Sequence, residues 1–396
     1  MVIRMETELL KRGFEEIIPA EEFDERVSTP MRVKFGADPT GADLHLGHAV
    51  ILNKLRQFQD AGHTVVFIIG DFTARIGDPS GRDETRPPLS EEEVLVNAKT
   101  YREQVFNILN EEKTEVVYNS KWLAGMGTRE VLELASRYTV ARMLERDDFS
   151  KRFNGNVPIR IHEFMYPLLQ GWDSVQVEAD IELGGTDQKF NLLVGRQFQK
   201  DEGQRPQLIG TLPILPGTDG YRKMSKTYKN HIPLKASGRD MYGKLMSIPD
   251  HLILPYARLL TDLEEQKINQ IEEILEEAAN PMVVKKEVAF AITARYKGAK
   301  AAETGRDFFE RTIEDGAQPE KEEIETVVIS QPDLWIVDLL DRSGLVSSRG
   351  EAKRLLKQGA VYLDGERLEG FDHDITVEEP VVLQVGKHRY RRLVSG

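Results

Sequence analysis

Two imidazoles, His45 and His48, and two ammonium groups, Lys223 and Lys226, carry the chemistry most readily read from this chain. They lie in His45-Leu46-Gly47-His48 and Lys223-Met224-Ser225-Lys226-Thr227, with Gly184-Gly185-Thr186-Asp187-Gln188 between them. Backbone N–H groups at a helix N-terminus favour phosphate, and a glycine there lets a flat base or a ribose approach closely. Two imidazoles on one turn suit hydrogen bonding to phosphate oxygens as a pyrophosphate departs. Two ammonium groups after the turn-rich Gly217-Thr218-Asp219-Gly220 suit a flexible loop that closes over a triphosphate and stabilises its leaving charge. Taken singly, these segments read equally well as a capped helix and a solvated basic loop. Taken in order, each at a strand end, they point to one nucleotide site that activates a carboxylate with ATP.

The elements that must hold these groups are legible around the first motif. Met31 to Phe35 reads as a strand and Gly36-Ala37-Asp38-Pro39-Thr40 as a turn. Ala49, Leu52, Leu55 and Phe58 then recur at helical spacing from near His45, and Gly62 stops the helix. Thr64 to Ile69 is a continuous β-branched and apolar run that suits a strand buried on both faces of a parallel sheet. Strand, turn, helix and strand make a βαβ unit, so the expected class is α/β with a Rossmann-like parallel sheet. Further on, Leu89 to Leu109 reads as a helix with acidic residues in its first turn. Glu115 to Tyr118 and Ser174 to Ile181 read as strands. Asp250 to Ala299, including Leu263 to Glu277, reads as helical and acidic. Gly316 to Glu323 is polar and linker-like, and a small C-terminal unit follows. The expected domains are 1–230, catalytic; 231–325, helical; and 326–396, a small α+β unit.

Length and composition narrow the class. The chain has 396 residues, 40% of them hydrophobic and 30% charged, which fits two or three globular domains rather than a disordered or fibrous chain. No apolar run approaches a membrane span, and Met1 to Phe14 is charged and amphipathic without a signal-peptide core. With no cysteine and eight scattered histidines, thiolate and structural zinc sites are not expected. A cytoplasmic enzyme fits these features best. The net charge of −13 speaks against nucleic acid, yet residues 342–396 hold 10 Lys/Arg against 8 Asp/Glu, a local balance of +2. Arg349, Lys353, Arg354 and Lys357 gather on one helix face, while Lys387, Arg389 and Arg391 alternate along a strand; such faces suit a phosphate backbone recognised by shape, and taken alone they read more readily as a solvated charged surface.

The motifs resemble those of the class I aminoacyl-tRNA synthetases, and specifically the bacterial tyrosyl enzymes. The two signature motifs match His45–His48 and Lys223–Thr227, with Thr227 in place of the commonest final serine. The tail resembles an S4 domain through Gly344-Leu345-Val346-Ser347-Ser348-Arg349 and Gly359 to Gly365. Tyr166, Gln170 and Asp173, which helical spacing puts on one face, match the tyrosyl pocket. The resemblance implies that Tyr166 and Gln170, with Asp78, hold the substrate ammonium, and that Asp173 accepts the phenolic proton with Asn119 as its neighbour. It assigns Asp187 to the ribose, Gln188 to the reacting carboxylate, and Asp38 and Thr40 to the adenylate and terminal phosphates. Gly36, Gly47, Gly185, Met224 and Ser225 complete the ATP site, and Arg82 and Arg86 reach the pyrophosphate.

The same resemblance implies tyrosine, ATP with Mg2+ and tRNA(Tyr) as substrates, no protein-bound metal or organic cofactor, and a homodimer. Val140, Met143, Leu144, Phe149 and Phe153 face either the dyad or the core. One position departs from the pattern. Many tyrosyl enzymes carry a second phenol-binding tyrosine on the first strand, where this chain has Lys34; that side chain either turns away or pairs with an acid in or near the pocket. A small-molecule nucleotidyltransferase would have no use for the S4-like tail, and a silent RNA-binding paralogue would have eroded the ATP motifs. A tryptophanyl enzyme is disfavoured by Asp173.

Overall fold

The apolar run Thr64–Ile69 forms β3, paired on both sides and, from Val65 onward, no more than 1% exposed. Its partners are β2 (Arg32–Ala37) and β4 (Thr114–Tyr118), both parallel to it. On the far side of β2 lie β5 (Ile181–Gly185) and β6 (Leu208–Leu212), also parallel, and β1 (Glu16–Ile18) closes that edge antiparallel to β6. The six-stranded order β1-β6-β5-β2-β3-β4 reverses direction of winding at the β2–β5 seam. Crossovers leave that seam on opposite faces of the sheet, so a crevice opens at the carboxyl ends of these two strands, where open parallel sheets bind ligands.

This computed structural model describes residues 2–41, 43–79, 90–277, 280–330, 333–368, 370–386 and 389–396. They divide into two compact units, Met1–Ala302 and Glu303–Gly396. In the first unit the helix predicted from His45 spans Leu46–Asp60 with His45 as its N-cap, and Gly62 follows it at φ +93°. Only glycine takes that conformation without strain, which is why the helix stops there. Ala49, Leu52, Leu55 and Phe58 are its buried stripe. The acidic segment resolves into the helices Ile253–Leu260, Glu265–Glu276 and Met282–Lys297.

One expected strand is corrected. Ser174 to Ile181 is not a strand: Ser174 lies in the last turns of the helix Ile161–Gln176, and the strand begins only at Ile181. Val175 and Val177 suggested extended backbone, but the Gln199 side-chain amide donates to the carbonyls of Ser174 (3.4 Å) and Ala179 (2.8 Å) and closes a turn there. A tertiary contact thus overrides a local β preference.

The second unit holds a five-stranded sheet in the order Glu366–Arg367, Val361–Leu363, Val381–Val385, Arg389–Ser395, Thr326–Ile329. The helices Ile336–Arg342 and Arg349–Lys357 contribute Ile336, Leu339, Leu340, Ala352 and Leu356 to its core. The linker-like stretch enters this unit as a short turn at Lys321–Glu323.

Candidate active site

The two motifs meet because the backbone joins them. Leu46 N–H donates to Ile232 O (3.0 Å) and Leu234 N–H to Leu44 O (2.9 Å), so the segment after the lysine loop pairs with the segment entering the histidine helix. The loop itself is tied by the buried Asn230. Its Nδ2 donates to Asp219 Oδ2 and to the Lys223 carbonyl, both at 3.1 Å, and its Oδ1 accepts Ser225 N–H at 2.8 Å. Lys223 Nζ then reaches Asp187 Oδ2 at 3.0 Å across the mouth of the crevice.

A cavity of about 300 Å³ opens at the β2–β5 seam. Its walls include Gly36, Asp38, Thr40, His45, Gly47, His48, Asp78, Tyr166, Gln170, Asp173, Gly185, Asp187, Gln188, Lys223, Met224 and Ser225. Sixteen expected site residues therefore share one space. Two lie just outside it. Asn119 sits behind Asp173, and half-buried Lys226 stands over Gly41, where an added Cβ would come within 2.9 Å of its Nζ. Arg82 and Arg86 fall outside the described residues.

At the deep end, Asp173 Oδ2 accepts from Asn119 Nδ2 (3.2 Å) and Oδ1 accepts from Trp122 Nε1 (2.8 Å). Asn119 is fixed in turn by Thr73 Oγ1 (3.0 Å) and by Phe72 N–H (3.0 Å). Burial pushes Asp173 up to about 7 against the pull of Lys34 and these two donors. Asp38 is also pushed to about 7 by burial, although Thr73 Oγ1 (2.7 Å) and Tyr166 OH (2.9 Å) donate to its two oxygens. Gly70 makes room for that carboxylate: a Cβ there would stand 2.1 Å from Asp38 Oδ1. A second chain of amides runs along the opposite wall. Gln188 Nε2 donates to Asp78 Oδ2 (2.8 Å), and Asn191 Nδ2 donates to both Gln188 Oε1 (3.0 Å) and Gln170 Oε1 (2.8 Å). Arg146 closes this chain through Asn191 Oδ1 (2.9 Å) and Asp78 Oδ1 (3.4 Å).

The two imidazoles lie 3.9 Å apart between ring centres. His45 N–H donates to His48 Nδ1 at 3.2 Å, which puts the His48 proton on Nε2. Burial, reinforced by Lys226 and Lys223, lowers His48 to about 4. Burial drives His45 down as well, so both rings are neutral at pH 7. They can donate one hydrogen bond each but bring no charge; the charge is supplied by the lysines.

Lys34 pairs with an acid, the second of the two alternatives. It has no exposed surface, and its Nζ reaches Glu182 Oε1 (2.8 Å), Ser174 Oγ (2.7 Å) and the Gln170 carbonyl (3.0 Å). Sequence reasoning missed Glu182, Ser174, Thr73, Trp122, Asn191 and Arg146. Asn191 alone gave a local signal, three residues after Gln188 on a helical face; the others come from elements joined only by the tertiary fold.

Known proteins bear on this geometry. The family described as tRNA synthetases class I (W and Y) matches residues 26–313. A Thermotoga maritima protein named tyrosine–tRNA ligase is 52% identical over 99% of this chain and 98% of its own length. The chain belongs to the tyrosine–tRNA ligase family. An Aquifex aeolicus relative of the same name is 48% identical over 98% of each chain. Solved tyrosyl-tRNA synthetases share the fold. The truncated mitochondrial enzyme of Aspergillus nidulans has a TM-score of 0.65 at 20% identity, covering 78% of this chain and 94% of that one. The Archaeoglobus fulgidus enzyme complexed with L-tyrosine has a TM-score of 0.61 at 22% identity, covering 76% and 99%.

The S4 domain description matches residues 334–369. Within this part of the tyrosine–tRNA ligase family member, Arg349, Lys353, Arg354 and Lys357 are all exposed on the Arg349–Lys357 helix. Arg349 pairs with Asp338 at 2.9 Å, and Lys353 Nζ lies 5.1 Å from the centre of the Trp335 ring. On the neighbouring strand Arg389 and Arg391 pair with Glu351 (3.5 Å) and Glu325 (3.1 Å), while Lys387 lies outside the described residues. The apolar segment named above divides: Met143 and Phe149 are core, whereas Val140 and Phe153 are each 61% exposed.

Proposed function

We propose that the cavity joins tyrosine to ATP, giving tyrosyl-adenylate and pyrophosphate, and passes the tyrosyl group to the terminal hydroxyl of tRNA(Tyr). The observation that carries this reading is the convergence of a buried phenol-sized acceptor, Asp173, with two imidazoles and an ammonium-bound Asp187 in one cavity. The tyrosine carboxylate arrives ionised and attacks the α-phosphorus, so no side-chain base is needed. The chain's own groups hold the reactants in line and spread the charge of the departing pyrophosphate. His45 and His48 act as neutral donors, Thr40 as a hydroxyl donor, and Lys223 and Lys226 as cations; Arg82 and Arg86 reach the pyrophosphate. Asp78, Tyr166 and Gln170 receive the ammonium, Asp173 and Asn119 the phenol, and Gln188 the reacting carboxylate. Asp187 accepts the ribose hydroxyls, with Gly36, Asp38, Gly47, Gly185, Met224 and Ser225 lining the nucleotide. Mg2+ enters as the metal complex of ATP. In the C-terminal unit Arg349, Lys353, Arg354 and Lys357 contact tRNA phosphates.

By role, residues 1–230 are catalytic, 231–325 face the anticodon side of tRNA, and 326–396 bind RNA. The enzyme works in the cytoplasm as a homodimer. Support for the dimer is a set of exposed apolar side chains close in sequence: Leu132 (65%), Val140, Phe153, Val157 (40%) and Ile161 (84%). Sedimentation at micromolar concentration should give a dimer, and Phe153→Glu should shift it to monomer; a wild-type monomer at that concentration contradicts this assembly.

The deciding assay is exchange of pyrophosphate into ATP. It should depend on tyrosine and be absent with tryptophan, and exchange with tryptophan alone would refute the pocket reading. The acidity of the pocket adds a pH signature. Asp173 is raised to about 7, and it accepts a hydrogen bond from the phenol more strongly as the carboxylate than as the neutral acid. Protonation below that value weakens the acceptor, so kcat/KM for tyrosine should fall as the pH drops below about 7, by at most about tenfold per pH unit for this one carboxyl. A profile flat from pH 8 to pH 5.5 contradicts this role.

A further inference from the structure

Lys34 stands opposite Glu182 in the β2–β5 register, with neither side chain more than 1% exposed. A lysine without hydration persists only if its three donors are matched, and here all three are. Two of its acceptors, the Gln170 carbonyl and Ser174 Oγ, belong to the Ile161–Gln176 helix and bracket Asp173 along it. Ser174 Oγ (2.9 Å) and Gln207 Nε2 (2.6 Å) both donate to Glu182 Oε2, so the acid is held from three sides. If this cluster only filled space, an apolar pair of similar volume would serve the sheet equally well. What an apolar pair cannot supply is positive charge beneath a buried carboxylate.

The groups facing Asp173 come from every surrounding element. They are Lys34 on β2, Glu182 on β5, Asp38 after β2, Asn119 and Trp122 after β4, and Tyr166 on its own helix. Lys34 is the cation acting on Asp173, opposed by Glu182 and by burial. We propose that Lys34 is a positioning residue for substrate tyrosine: it fixes the helix turn bearing Gln170 and Asp173, and its charge keeps the Asp173 carboxylate an acceptor for the phenolic O–H. This role rests on the assignment of Asp173 to the phenol. It places tyrosine selection partly under a residue that does not line the cavity.

The test is tyrosine-dependent pyrophosphate exchange with Lys34→Met and with the charge-neutral double variant Lys34→Met/Glu182→Met, at pH 7 and pH 8.5. The double variant serves should the single one leave Glu182 uncompensated and unfold. Lys34→Met is expected to raise KM for tyrosine about fivefold at pH 7, the loss of ionised Asp173 that follows an about tenfold gain in its proton affinity from a value of about 7. The double variant should show a smaller rise, because it also removes the opposing Glu182, and both should keep KM for ATP within about twofold of wild type. At pH 8.5 Asp173 regains its charge, and the tyrosine defect should shrink to about threefold or less. A merely structural role would not respond to pH in this way. An unchanged KM for tyrosine at pH 7, an equal rise at both pH values, or an equal loss for both substrates overturns the proposal. If Asp173→Ala spoils tyrosine selection while the Lys34 variants do not, the phenol assignment stands and the role of Lys34 falls. If Asp173→Ala leaves tyrosine KM unchanged, the phenol assignment itself fails.

Discussion

His48→Ala should lower the rate of pyrophosphate exchange at saturating substrates by about 10²–10³-fold, or ~2.7–4 kcal/mol, the cost of removing one preorganised donor to a developing anion. The His48 ring is oriented as such a donor, because its Nδ1 is occupied by the His45 N–H at 3.2 Å and Nε2 is left to carry the proton. The ring is neutral well below pH 7 because burial lowers it to about 4, and the donor is therefore present throughout the working range. The loss should accordingly be the same at pH 6.5 and pH 8, with KM for tyrosine nearly unchanged. An alanine variant within threefold of wild type would remove His48 from the catalytic assignment. A defect that appears only below pH 6.5 would show instead that the charged imidazolium is the working form.

Asp173→Ala should be as damaging but in a different parameter. It strips the acceptor from two buried donors, Asn119 Nδ2 and Trp122 Nε1, as well as from the substrate phenol. The substrate phenol left without its acceptor costs roughly 1–3 kcal/mol, so KM for tyrosine should rise about 5- to 150-fold. KM for ATP should stay within about twofold, because the hydrogen-bond partners of Asp173 are Asn119 and Trp122 and not the histidine or lysine motifs. Equal loss for both substrates would contradict the assignment of Asp173 to the phenol.

How far the sequence reached depended on whether a residue's role was set locally. The His45 helix was readable from cap to stop because its apolar stripe, its N-cap position and the glycine at φ +93° all lie within one short segment. The same holds for β3, whose unbroken β-branched run has few other ways to bury itself. The helix face bearing Tyr166, Gln170 and Asp173 was legible by spacing, but its end was not, since Gln199 on a later helix decides where the turn closes. Within the site, the motifs exposed the groups that face the cavity and left their supports hidden. Trp122 binds Asp173 from the segment after β4, and Asn230 ties the lysine loop from beyond it. Lys34 was visible as a departure, yet only its register against Glu182 on β5 shows which acid it meets. Register between distant strands is a property of the assembled sheet and has no local signature.

The pairing of Leu44 and Leu46 with Ile232 and Leu234 has a consequence for how the molecule comes into being. The nucleation of β2, its helix and β3 needs only neighbouring chain, whereas this clasp waits for residues made much later. Distant closures of this kind are slow because a long loop must be ordered first. During synthesis the early βαβ unit therefore exists without a nucleotide-binding mouth. The mouth cannot close before the residues through Leu234 have been made.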